Sequence, residues 1–474
     1  MKPFNRINLG VLAALSANAF IAQAQPSQPN FIIIFADDLG YGDLGCYGHP
    51  TILTPNLDNM AEEGMRFTQF YVGAAVSSPS RAALLTGRLG VRTGVYGTKD
   101  PIGNKGVVFL QNSLSGLPLS EVTIAEILKD QGYETAIIGK WHLGHMPHLL
   151  PVNQGFDYWY GIDHHQNAPA KANSTPDEAK PVKNNSQVTG RRAWCSLYRN
   201  DAVIDENPDM VYLTKQYTDE AISYIRRNKD KPFFLYYANN NPHTPLLASS
   251  GFLGKSKRGL YGDVVEELDW SVGQILKTLK DLKIDTNTFV LFASDNGPWL
   301  TQSQRGGSAG ILYEGKNSTY EGGMRVPAIA WWPGTIKANT TSTALATTMD
   351  ILPTFARLSG SDLPKDIEID GVDISDILLN NADNVRNMVY YYINKNLYAI
   401  RKGPWKAHFI THASYSPGEP VNHDPPLLFN IDEDPSEKYN IAHQHPEIVE
   451  DFIKEYVKQS GIVPAPSEID KEML

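Results

Sequence analysis

A chain of 474 residues, 42% hydrophobic and 20% charged, has the material for a large core and for two domains. Its net charge of −10 and lack of any basic stripe exclude nucleic acid as a partner, so an anionic ligand must be held by a local group of cations. Two cysteines, Cys46 and Cys195, exclude a disulfide framework; one bridge is possible, and two buried thiols are the favoured state.

In chain order, residues 1–24 form a secretory signal. Lys2 and Arg6 give the positive start, residues 9–21 the apolar middle, and Ala22-Gln23-Ala24 the cleavage site. The apolar run is too short for a membrane anchor, is broken by Ser16 and Asn18, and is followed by no cysteine for lipid attachment. No later segment is apolar and long enough to span a membrane. The expectation is an exported protein of the bacterial periplasm.

Residues 31–35 are a continuous apolar run, the mark of a buried parallel strand. The stretch from Ser77 to Arg88 reads as a small-residue loop turning into a helix. Ser77 or Ser80 is placed to cap it, Pro79 suits its first turn and Gly87 its end. Residues 122–131 form an amphipathic helix ended by Gly132, followed by a strand at 135–138. Residues 164–192 are polar and patternless, a surface loop. Helices at 212–227 and 264–282 precede strands at 233–237 and 289–292. This alternation predicts an α/β fold with helices flanking a mainly parallel or mixed central sheet. After residue 380 short strands at 388–393, 397–401, 407–410 and 427–431 precede an amphipathic helix at 446–459. They predict a small C-terminal α+β unit on an antiparallel sheet. The division is 25–380 for a catalytic domain and 381–474 for the C-terminal subdomain.

The polar clusters follow the strands: Asp37-Asp38, Lys140-Trp141-His142, Asn241-Pro242-His243 and Asp295-Asn296. Ligands of open parallel sheets bind beyond the carboxyl ends of the strands, so four strand ends point at one site. Asp37 and Asp38 with Asp295 and Asn296 would make a cage of hard oxygens, suited to calcium or magnesium rather than zinc. Taken singly, each pair would more often be a helix cap or a turn.

The string Ser77-Ser78-Pro79-Ser80-Arg81 through Thr86-Gly87-Arg88 resembles the signature C/S-x-P-S-R-x-x-x-x-T-G-R of the type I, formylglycine-dependent sulfatases of the alkaline phosphatase superfamily, at every fixed position. Further matches are Asp37-Asp38, Gly139-Lys140-Trp141-His142-Leu143-Gly144, Asn241-Pro242-His243-Thr244-Pro245, Ser294-Asp295-Asn296-Gly297 and Gly315-Lys316 through Glu321-Gly322-Gly323. The stretches 155–161 and 292–297 resemble the arylsulfatase A and N-acetylgalactosamine-6-sulfatase branch.

The resemblance implies an alkaline-phosphatase-like fold and a sulfuric ester hydrolase acting on a sulfated sugar, with galactose or N-acetylgalactosamine as the leading substrate. It implies that Ser77 becomes formylglycine (3-oxoalanine), made by a serine-type radical maturase because serine stands where animal sulfatases have cysteine. One calcium, preferred to magnesium, would be held by Asp37, Asp38, Asp295, Asn296 and residue 77. The catalytic set would be Ser77, Arg81, Lys140, His142, His243 and Lys316. A hydroxyl of the hydrated aldehyde attacks sulfur, His243 with Lys316 protonates the leaving oxygen, and His142 takes the second proton to expel sulfate. Asp163, His164 and His165 are candidates for sugar hydroxyl contacts. Two alternatives stay open: a phosphomonoesterase or phosphonate hydrolase of the same superfamily, and a non-catalytic binder of sulfated glycans if Ser77 is unmodified.

Overall fold

Alternate side chains of the first strand enter two different cores, and this organises the molecule. In β1 (Asn30–Ala36), Phe31, Ile33 and Phe35 pack into one hydrophobic cluster and Ile32, Ile34 and Ala36 into the other. A strand buried on both faces must lie inside a sheet covered by helices, which is why it reads as an unbroken apolar run. The computed structural model describes residues 28–97, 107–110, 113–164, 195–206 and 208–469. The expected signal at 1–24, most of the expected loop at 164–192, and His165 lie outside them.

The remaining strands of the central sheet are β2 (Met65–Tyr71), β3 (Glu134–Gly139), β4 (Tyr158–Ile162), β5 (Leu197–Arg199), β6 (Ala202–Asp205), β7 (Phe233–Ala238), β8 (Thr288–Ser294), β9 (Arg325–Trp331), β10 (Thr340–Ser342) and β11 (Ala346–Thr347). Their order is β10-β2-β9-β8-β1-β7-β3-β4-β5-β6, with β11 also on β2. The run β8-β1-β7-β3-β4 is parallel, whereas β9 is antiparallel to both β8 and β2. The sheet is therefore mixed, with a parallel centre.

Helices α1 (Pro55–Glu63), α4 (Leu213–Asn228) and α5 (Leu260–Asp281) cover one face. Helices α2 (Ser77–Thr86), α3 (Ile124–Lys129) and α6 (Ile351–Ser359) cover the other. Thr123 and Glu126 close a capping box at the start of α3, so the predicted helix is trimmed to its capped length. Neither Ser77 nor Ser80 caps α2. Val76 is its N-cap without a side-chain bond, and Ser77 begins the helix with its hydroxyl turned elsewhere; Gly87 does end it, at φ 67°.

Strands β12 (Met388–Ile393), β13 (Asn396–Lys402), β14 (Trp405–Thr411) and β15 (Val421–Asn430) form a separate antiparallel sheet under α7 (Pro446–Ser460). Val389, Tyr391 and Ala399 of this sheet pack into the main core. Cys46 and Cys195 are both free thiols. Among the described residues, no helix is long and apolar enough to cross a membrane.

Two local features shape the turns at the strand ends. Gly139, at φ +118°, turns the chain out of β3, and a Cβ there would lie 2.0 Å from the Ala238 carbonyl oxygen. Gly139→Ala should therefore destabilise the fold by about 2–4 kcal/mol, read as a lower urea midpoint. Asp43 secures the turn after β1, accepting from Gly40 N at 2.7 Å, Ser308 N at 2.8 Å and Tyr261 Oη at 2.6 Å. Burial pushes its carboxyl up to about 7, against these bonds. The folded state then holds a proton that the unfolded chain releases near pH 4, so this group's contribution falls as pH rises from about 4 to about 7. Asp43→Asn should flatten that part of the stability profile, measured by urea unfolding at a series of pH values.

Candidate active site

The carboxyl ends of β1, β3, β7 and β8 are tied to one another by their own backbones. Asp37 N donates to Asn241 O at 3.0 Å, Lys140 N to Ala238 O at 2.8 Å and Asp295 N to Ala36 O at 3.0 Å. Asp38, at φ 64°, turns its N–H onto Asp295 Oδ1 at 3.1 Å. Four polar clusters separated by up to 258 residues thus meet at one point.

At that point sits Ser77, the first residue of α2. Its Oγ donates to Asp37 Oδ1 at 3.2 Å and lies 3.5 Å from Lys140 Nζ. The start of a helix carries partial positive charge, which favours anions there. Arg81 is one turn along the same face and fully buried. It donates to Asp295 Oδ2 at 2.9 Å, lies 3.7 Å from Asp37, and stands over the Phe35 ring. Lys140 Nζ, also fully buried, is 2.6 Å from Asp37 Oδ2. Burial pushes the Asp37 carboxyl up, but Lys140, His243 and Arg81 outweigh it and hold the group at about 2. Burial lowers the Lys140 ammonium despite Asp37 beside it.

On the other side of the pair, Lys316 Nζ lies 2.7 Å from Asp38 Oδ1, and Asn296 Nδ2 donates to the same oxygen at 2.7 Å. Burial pushes the Lys316 ammonium down, but Asp38, Tyr415, Asp37 and Asp295 together outweigh it and hold its pKa above the usual lysine range. His243 Nε2 lies 3.7 Å from Asp38 Oδ2 and its Nδ1 is 2.6 Å from Thr244 O. A carbonyl only accepts, so Nδ1 carries the proton. Burial pushes the His243 imidazole below its ordinary pKa. By the same logic His142 Nε2, 3.0 Å from Phe109 O, carries a proton and leaves Nδ1 as its basic nitrogen.

All of Ser77, Arg81, Lys140, His243, Lys316, Asp37, Asp38, Asp295 and Asn296 are thus assembled, with His142 at the adjoining turn. Asp163 and His164 are buried behind that turn. Asp163 O accepts from His142 N at 2.9 Å, and the side chains of Asp163 and His164 pair at 3.0 Å. Several contributors do not stand out in the sequence. Ser78 donates to His142 O at 2.9 Å and accepts from Phe109 N; Tyr236 meets Arg81 at 3.4 Å. Trp299 and Tyr415 lie at the edge of the site. The position of Ser78 within the motif is its one available signal; the others require knowing which strands are neighbours.

The donor set fits a divalent cation. Asp37 and Asp38 bring carboxylate oxygens within 4.8 Å of each other and of a His243 ring nitrogen, and Asp295 adjoins them as a third carboxylate. Asn296 Oδ1 and Arg81 Nε are buried without a hydrogen-bond partner among the described residues. A buried acceptor beside three carboxylates is suited to a metal ion.

The chain matches the family described as Sulfatase over residues 29–361 and the C-terminal region of aryl-sulfatase over 384–473. It is 40% identical over 465 residues to arylsulfatase A of Homo sapiens, covering 93% of this chain and 88% of that one. It is 41% identical over 455 residues to N-acetylgalactosamine-6-sulfatase of Canis lupus familiaris, covering 91% and 85%. The crystal structure of Ps i-CgsB in complex with k-i-k-neocarrahexaose superposes with a TM-score of 0.76 at 32% identity, covering 93% and 94%.

Divalent metal should raise the melting temperature of the protein and a chelator should lower it again. Asp295→Asn, which keeps shape and removes a charge, should abolish that shift. An equal shift in the variant would exclude Asp295 from the metal site.

Proposed function

The chain belongs to the sulfatase family and is a sulfuric ester hydrolase; on that premise we propose that it removes sulfate from a sulfated sugar through a formylglycine made from Ser77. The observation that carries this is the placement of Ser77 Oγ against both Asp37 and Lys140 within a buried cluster of opposite charges. A hydrated aldehyde at position 77 would supply two hydroxyls, one to attack sulfur as the S–O bond to the sugar oxygen breaks, and one whose deprotonation would re-form the aldehyde and expel sulfate by C–O cleavage, which serine cannot do.

The cluster's charge balance supports an anionic substrate. Asp37, Asp38 and Asp295 are matched by Arg81, Lys140 and Lys316. A divalent cation then leaves the site positive, so a sulfate ester is drawn in although the whole chain is acidic. Calcium suits Asp37, Asp38, Asp295, Asn296 Oδ1 and an oxygen of residue 77 better than zinc does, because these are hard oxygen donors. Held there, it would bind and acidify a hydroxyl.

The residues of the chain then divide the work. Arg81 would hold the hydroxyls of residue 77, Lys140 would bind sulfate, and Lys316 would hold sulfate and the bridging oxygen. His243 exchanges a proton with the leaving oxygen at Nε2, since Nδ1 is committed to Thr244. His142 takes the later proton at Nδ1, since Nε2 is committed to Phe109. Residues 25–380 carry this machinery and 381–474 form the C-terminal subdomain. The signal-like residues 1–24 favour export to a periplasm.

A sugar substrate is favoured by the relatives: N-acetylgalactosamine-6-sulfatase is 41% identical, and Ps i-CgsB is seen with k-i-k-neocarrahexaose. Galactose or N-acetylgalactosamine is the preferred ring, with Asp163, His164 and His165 as candidate contacts. The test is co-expression with a serine-type radical maturase, mass spectrometry of the peptide holding residue 77, and a panel of 2-, 3-, 4- and 6-sulfated monosaccharides beside aryl sulfates and phosphate monoesters. Expected are formylglycine at position 77 and sulfated-sugar turnover, both lost without the maturase. Full turnover from unmodified serine would overturn the mechanism. Turnover confined to aryl sulfates would overturn the sugar assignment alone.

A further inference from the structure

Trp299 follows the Asp295-Asn296-Gly297-Pro298 turn and is half-buried. Its ring centre is 5.4 Å from that of His243, and Lys316 Nζ stands 4.7 Å from its centroid. Tyr415, also half-buried, stacks on it with centroids 5.4 Å apart and planes 29° from parallel. The two rings come from distant parts of the chain. Trp299 is fixed because Lys316 N donates to Pro298 O at 2.9 Å, closing its loop against the Lys316 loop. Tyr415, at φ 50°, follows β14 of the C-terminal sheet. Its neighbour Ser414 donates by its N–H to Glu314 Oε2 at 3.1 Å and by its Oγ to Lys316 O.

No step of the chemistry needs these rings. They lie on the side of the site where His243 and Lys316 meet the leaving oxygen, where the ring bearing the ester must lie. Aromatic faces carry negative charge density and the C–H face of a sugar carries positive, so the two stack while the sugar hydroxyls stay in water.

We propose that Trp299, with Tyr415 stacked on it as support, forms an aromatic platform that packs against the sugar bearing the sulfate ester and so sets affinity for sugars. This rests on the sulfated-sugar reading of the site. Trp299, beside His243 and Lys316, is the specificity residue, and Tyr415 is a positioning residue that acts through it.

The test uses the matured enzyme and the sulfated monosaccharide that it turns over best. Trp299→Ala should raise KM about 10-fold with kcat changed less than about 3-fold, and Tyr415→Ala should act in the same direction. Trp299→Phe and Tyr415→Phe, which keep a ring, should retain most affinity. Inhibition by inorganic sulfate should stay within about 2-fold in all four, because the anion is held by Lys140 and Lys316. In a Ser77→Ala background, titration with the same sugar should perturb tryptophan fluorescence, and Trp299→Phe should remove that signal. Unchanged KM in both alanine variants would overturn the platform. So would a parallel weakening of inorganic sulfate, which would mean that the rings merely prop Lys316. If the unsubstituted enzyme turns over aryl sulfates and no sulfated sugar, the sugar reading itself has failed and the platform falls with it.

Discussion

Everything in this molecule is arranged around the burial of charge at the carboxyl ends of four strands. Asp37, Asp38 and Asp295 are almost wholly removed from water, as are Arg81 and Lys140. Ions in such a place are tolerable only when each is paired and hydrogen-bonded, because the desolvation penalty is several kcal/mol per ion. The main-chain bonds that lash β1 to β7 and β8 hold the carboxylates at fixed separation before any ligand arrives. The site is therefore preorganised, and its polarity is built into the sheet rather than assembled on binding.

A second buried ionic group ties the C-terminal sheet to this centre. Glu321 lies just beyond the Lys316 loop and accepts from Tyr71 Oη at 2.6 Å and Tyr391 Oη at 3.1 Å. Lys406 on β14 lies 2.9 Å from both Glu321 and Glu437, and also donates to Thr319 O. Glu437 in turn accepts from Glu321 N at 2.7 Å and lies 2.6 Å from His408. Burial pushes the Glu321 carboxyl up, but Lys406, Arg401 and Arg325 outweigh it and keep it ionised. The loop bearing Lys316 is thus clamped from the second sheet, whose next segment brings Tyr415 over the site. The small sheet is structurally part of the active centre, although its own residues carry none of the expected catalytic groups.

The amino-acid sequence by itself determined the parallel centre of the fold and the chemical inventory of the site. A strand buried on both faces has to be an unbroken apolar run, as at Phe31 to Phe35, and parallel strands have to be joined by helices, so the alternation was legible. Ser77, Arg81, Lys140, His243 and Lys316 stood out because each sits in a long fixed string, and the family match bears out the resemblance those strings carry. Less was legible where local patterns are short or conflict. The antiparallel strands β2 and β9 carry no turn between them to betray their pairing, since they are remote in sequence. The serines at the start of α2 read as caps by local preference, but Ser77 was drawn to Asp37, a partner 40 residues away. Only tertiary structure decided which carboxylate meets which cation, which nitrogen of His142 and His243 is left basic, and that Trp299 and Tyr415 lie face to face. Those facts depend on which strand ends are neighbours. Strand order is fixed by packing among residues far apart in the chain, where one-dimensional spacing carries no information.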